Sequence, residues 1–460
     1  MSSLGRSLGT LLVLIAVLAG APAARGGPLA PRPPATPLPA TASPCPPAWR
    51  LVAGPNPTWR YNQLRALAVV SAADVWAVGT ASGRPLAAHW DGSAWSVAPM
   101  PNTGLNTVTL YGAAALGPND VWAVGSGYTA NGDEQTLIVH WDGSAWRRVP
   151  SPNPGTYSNA LSSVTAIAPD DVWAAGTSYT EGGAVTPILI VHWDGRAWSR
   201  VAALWVVPGD LRALAAVAAD DIWAVGVVGE EPLTLHWDGT AWSQVFLPRL
   251  AGHTSLSSVA AIAADDVWAV GGYWNPMNFR GGALIEHWDG AAWTQVPLLA
   301  ASYPMISGLD GVTAVTAQDV WVGGATAGRI VMLHWNGSAW SQVPGPETAG
   351  QFSVTGVAAV AAGDIWAIGG YNLYTGSDRT GLLHYTDTCG PPAPPPEGCV
   401  LPFTDVDAGH PFYSNIQCLY CSNILDGYSD GTFRPGASVT RGQTAKFISN
   451  AFFPGCGPLR

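Results

Sequence analysis

The sequence predicts an all-β, seven-bladed propeller followed by a small α-helical module, and three observations carry the propeller. The phrase HWDGSAW at His89 to Trp95 returns as HWDGSAW at His140, HWDGRAW at His192, HWDGTAW at His236, HWDGAAW at His287 and HWNGSAW at His334, with a broken copy at His384-Tyr385. A second phrase, D-[VI]-W-[AV]-[VAIG]-G, precedes each copy, centred on Trp76, Trp122, Trp173, Trp223, Trp268, Trp321 and Trp366. The units therefore recur every 45 to 53 residues or so, the spacing of propellers and solenoids. Third, strands such as Leu137-Ile138-Val139 and Ile188-Leu189-Ile190-Val191 are apolar without alternation, which is how a strand reads when both faces of its sheet are covered.

Each unit holds four strands, in the first unit Leu64 to Ser71, Val75 to Thr80, Leu86 to Trp90 and Ala94 to Ala98. Asp91-Gly92 is a strong hairpin signal between the last two. First strands are built of small residues (Ala66, Ala68, Ala113 to Ala115) and third and fourth strands carry Trp. Blades converge at the axis and splay at the rim, so the first strand is innermost and the A-W strand outermost. The last unit has no A-W strand of its own, but Ala48 to Pro57 matches Ala145 to Pro154. The N-terminal strand is thus expected to complete blade 7 and close the ring. Cys45 and Cys389 fall where other blades have their hairpin, which predicts a disulfide between them.

Composition bounds the function. Of 460 residues 11% are charged, 48% are hydrophobic and 23 are Trp, with a net charge of −11 and no Lys/Arg cluster. Nucleic acid and anionic membrane surfaces are disfavoured, since both require a basic footprint. Residues 1–23 read as a signal peptide, with Arg6, an apolar Leu11 to Ala19 and an A-x-A site at Ala21-Pro22-Ala23, too short to span a bilayer. No later stretch is a transmembrane candidate. The expected layout continues with a Pro-rich linker at 24–46, the propeller at 47–388, a Pro-rich hinge at 389–398 and the C-terminal module at 399–456.

The seven repeat histidines sit too far apart round a ring to share a metal, so they are expected to be structural hydrogen-bonding groups, and the repeat aspartates Asp74 to Asp364 to cap turns. Glu is sparse, no carboxylate pair recurs, and no cofactor or catalytic residue is indicated. The signal for function is loop asymmetry. The loops after second strands and between blades share one end of the propeller and are long and aromatic. They supply Trp59, Tyr61, Tyr128, Tyr179, Trp205, Tyr273, Trp274, Phe279 with Arg280, Tyr303, Tyr371 and Tyr374. Such aromatics on a rigid scaffold suit recognition of a protein or glycan. The competing reading is that they pack their own loops.

The propeller repeats resemble the kelch type, with Gly-Gly ending the second strand at Gly271-Gly272, Gly323-Gly324 and Gly369-Gly370. A copper site of the galactose-oxidase kind is excluded because no Cys lies between Cys45 and Cys389. The C-terminal module resembles the S-layer homology (SLH) motif more sharply. The matching residues are Phe403-Thr404-Asp405-Val406, Phe412 to Ile416, Asp426-Gly427-Tyr428-Ser429-Asp430-Gly431-Thr432-Phe433-Arg434-Pro435 and Val439-Thr440-Arg441-Gly442-Gln443. That resemblance implies helix-loop-helix folding and attachment of an exported bacterial protein to cell-wall polysaccharide or the S-layer. Arg441, Gly427, Asp430 and Gly431 would then face the polymer. Cys399, Cys418, Cys421 and Cys456 bracket the module and are read as disulfides in an exported chain, with a four-cysteine zinc site as the rival. Two functions stand: a non-catalytic, extracellular surface protein whose propeller binds a partner, or a secreted polysaccharide hydrolase or lyase acting in or beside the channel.

Overall fold

The computed structural model describes residues 47–386, apart from 59, 181–187, 203–208, 249–251, 276–279, 299–305, 307, 327–328, 347, 349–350 and 373–377, together with 404–406 and 432–434. Seven four-stranded antiparallel sheets follow one another. Blade 1 comprises Asn62–Ser71, Asp74–Ala81, Arg84–Trp90 and Trp95–Ala98, in that order across the sheet. The innermost strand begins two residues earlier than the sequence predicts, because Asn62 pairs with Ala81. Each first strand packs on the first strand of the next blade, and Gln351–Ala361 of blade 7 packs back on Asn62–Ser71.

Ring closure follows the sequence reading. Ala48–Val52 pairs with the third strand of blade 7, Asp378–Thr386, with Trp49 opposite Tyr385. The side chains confirm that Trp49 does the work of an outer-strand Trp. In every blade interface the second-strand Trp meets the third- and fourth-strand aromatics of the following blade. Trp76 packs on Trp141 and Trp146, and Trp366 on Trp90 and Trp95 across the closure. Trp321 packs on Tyr385 and Trp49, with centroids 4.6 and 5.7 Å away. Seven apolar clusters lie one per interface, so the core is a ring of seams. Each aromatic pair adds about 0.5–1.5 kcal/mol beyond its burial.

The repeat histidines are structural, and the repeat aspartates hold them. Asp74 was expected to cap a turn; its Oδ1 instead lies 2.8 Å from His89 Nε2 on the third strand. The same pairing recurs in all seven blades, ending with His384 and Asp364 at 2.6 Å. Each imidazole lies against the Trp of its own blade, as His140 does on Trp122 with centroids 4.1 Å apart. The Asp-Trp phrase and the His-Trp phrase thus converge on one Trp–His–Asp contact, which explains why they travel together. The hairpin aspartates behave as the sequence predicts: Asp91 Oδ1 accepts from the Ser93 and Ala94 amides at 2.8 and 2.9 Å.

The domain limits outside the propeller, the helices of the C-terminal module and all six cysteines lie outside the described residues. Within that module Asp405 accepts from the Phe433 and Arg434 amides, at 2.7 Å through each carboxylate oxygen.

Candidate functional site

The site begins with the glycine of the Asp-Trp phrase. Gly79, Gly125, Gly176, Gly226, Gly271, Gly324 and Gly369 each pair with an apolar first-strand residue, for example Leu256 opposite Gly271. A Cβ on Gly271 would sit 2.0 Å from the Ser255 carbonyl oxygen, so only glycine fits. Immediately after this pair the ladder slips in every blade, and one first-strand residue is left out of register. A bulge of this kind re-aims a side chain. The residues so placed are Arg65, Tyr111, Ser162, Arg212, Ser257, Asp310 and Thr355, one per blade. Their flanks are repetitive; they are not. Sequence reasoning missed them, although each follows a Leu or Val and precedes Ala, Gly or Ser.

Several of these residues reach across blades. The Arg65 guanidinium lies 5.7 Å over the Tyr111 ring. Arg212 donates to Ser255 Oγ at 3.1 Å, and Thr355 donates to the Leu64 carbonyl at 2.9 Å. Arg212, Ser257 and Asp310, from blades 4, 5 and 6, line one cavity of about 480 Å³, within the usual size range of small-molecule sites. His253 and Glu230 also line the cavity, 3.3 Å apart.

Tyr273 and Trp274, both singled out from the sequence, stand in this cavity wall. Tyr128 and Tyr179 belong to a separate cluster on blades 2 and 3. Tyr179 meets Tyr157 edge-on at 5.8 Å, and Glu134, foremost, with Tyr111 and Tyr157, raises the Tyr128 phenol. Glu134 is itself held by Ser126 and Ser158, each at 2.6 Å. Tyr61 bonds Gln63 at 2.6 Å and bridges to Asp378, so it secures its own loop. Arg280 and Tyr371 lie on strands, Arg280–Trp288 and Asp364–Asn372. Trp59, Trp205, Phe279, Tyr303 and Tyr374 lie outside the described residues, as do Arg441, Gly427, Asp430 and Gly431. Two exposed aromatics were not anticipated, Tyr157 and Phe246, the latter 77% exposed between blades 4 and 5.

Among the described residues no helix is long and apolar enough to cross a membrane. Residues 402–445 match the S-layer homology domain, so the chain joins a seven-bladed propeller to an SLH domain. No curated protein matches the chain. Among solved structures it is similar to YCF48 from Cyanidioschyzon merolae, at 15% identity and a TM-score of 0.50, covering 74% of this chain and 99% of that one. Similar too are U3-55K and the RRP9 WD40 repeats, each at 11% identity and a TM-score of 0.50, covering 74% of this chain and 98% of theirs. At these identities the likeness is one of fold alone.

Proposed function

We propose that the protein is an exported, non-catalytic envelope protein: the SLH domain attaches it to cell-wall polysaccharide or the S-layer, and the propeller presents a binding face for a protein or glycan. The SLH match at 402–445 carries this reading. Exported proteins bearing that domain are held at the cell surface, and Arg441 would pair an anionic substituent of the polymer. Unlike the repeated end of the propeller, the loop face offers unrepeated, exposed aromatic and charged groups, as a recognition surface requires.

Retention on purified cell-wall sacculi tests attachment. The full chain should sediment with sacculi, a chain ending at Thr388 should stay in solution, and Arg441→Ala should reduce retention several-fold. Equal retention of full-length and shortened chains would defeat the proposal. A second reading, a polysaccharide hydrolase or lyase, takes its candidate groups from the two carboxyl side chains in the cavity lining, Glu230 and Asp310, because glycosidases act through a pair of carboxyl groups. Reducing-end release from oligosaccharides, abolished by Asp310→Asn, would favour that reading instead.

A further inference from the structure

The cavity of blades 4 to 6 has a chemistry that narrows its ligand. Trp274, 45% exposed, presents an indole in the wall beside Tyr273. Polar groups of both kinds line the cavity, the Arg212 guanidinium and the His253 imidazole with the Glu230 and Asp310 carboxyls, and the Ser257 hydroxyl among them. A neighbouring cavity of about 390 Å³ shares Glu230 and Thr254 with the first and is lined by Phe246. The two cavities therefore abut at a polar ridge, with an aromatic platform on each side. A ligand that fits has flat apolar faces for the rings and hydroxyl edges for carboxylate and guanidinium groups, whose charge-assisted hydrogen bonds are the stronger kind.

A sugar chain has that alternation, with C–H faces on each ring and hydroxyls round its rim. A nucleic acid would meet a chain of net charge −11. An extended peptide adding as a strand would need a regular edge, and the first strands are bulged where they line the cavity. We propose that these joined cavities bind an uncharged oligosaccharide, with one sugar on Trp274 and the chain crossing Glu230 to reach Phe246. The proposal rests on reading the propeller as a binding scaffold, and adds the site and the ligand class.

Full-length protein is applied to an array of neutral and anionic oligosaccharides, followed by calorimetry with the best neutral binder at increasing chain length. Trp274→Ala should weaken binding at least about tenfold, and Trp274→Phe should recover part of the loss. Phe246→Ala should weaken a hexasaccharide and leave a disaccharide unchanged. Each variant should keep the parental melting temperature, as exposed positions allow. The proposal is overturned if no neutral glycan binds, if a peptide library competes for Trp274 where glycans do not, or if binding ignores Trp274 and disappears with Arg441→Ala. That last result would place the glycan on the SLH domain and leave the attachment reading standing. Loss of sacculus retention with Trp274-dependent binding intact would do the reverse.

Discussion

Glu286 shows how one residue departs from its repeat. It occupies the third-strand position before the repeat His, where other blades have Ala88, Val139, Val191, Leu235, Leu333 and Leu383. It is 0% exposed, and neither carboxylate oxygen has a hydrogen-bond partner among the described residues. Burial pushes its pKa from an ordinary 4.5 to about 7, since a charge without a partner is costly there. The unfolded chain releases this proton at lower pH than the folded one, so folding loses stability as pH rises from about 4.5 through 7 and then levels off. The accumulated cost is on the order of 3 kcal/mol. Glu286→Leu should raise the melting temperature more at pH 8 than at pH 4, where the neutral but unpaired carboxyl costs less, and flatten the stability–pH profile between them. An equal gain at both pH values would contradict the assignment. In the sequence Glu286 stands out as the one polar residue at an aligned position that is otherwise apolar, but the pattern alone does not say whether such a carboxyl finds a partner.

At the scale of the element, the pairing of a glycine with a bulge is the device that matters. Hairpins, strand order and the Trp seams were legible, since Asp-Gly turns and the gradient from small residues to Trp have direct steric meanings. The bulges were not legible: an extra residue changes register without changing hydrophobic pattern, and small first-strand residues read the same with or without it. The bulge instead leaves its mark on the opposite strand, as a glycine with no room for a Cβ. Gly271→Ala, whose Cβ would meet backbone at 2.0 Å, should therefore cost on the order of 2–4 kcal/mol and displace Ser257 in the cavity. Gly117→Ala, with nothing within 4 Å of the added atom, should melt like the parent. Chemical denaturation of the two variants side by side checks this, and equal midpoints would refute the steric role of Gly271.

For the whole molecule, seven seams of one plan close the ring, and function has to come from what is not repeated. The broken copy at His384-Tyr385 located the closure, because Trp49 supplies the missing outer-strand ring. The loop aromatics were legible as a group but not their division into a Tyr cluster on blades 2 and 3 and a Trp274 cavity on blades 4 to 6. That division depends on which bulged residues share a cavity. On the reading proposed above, recognition lies at the loop face and the SLH domain, while the repeated hairpins are architecture. Amide hydrogen exchange of the full chain, alone, with a neutral oligosaccharide and with solubilised cell-wall polysaccharide, reads both surfaces. Slowed exchange is expected at 229–232 and 252–257 with the neutral oligosaccharide and at 402–445 with the cell-wall polysaccharide, the Asp-Gly hairpins staying unchanged in both. Protection confined to those hairpins would contradict it.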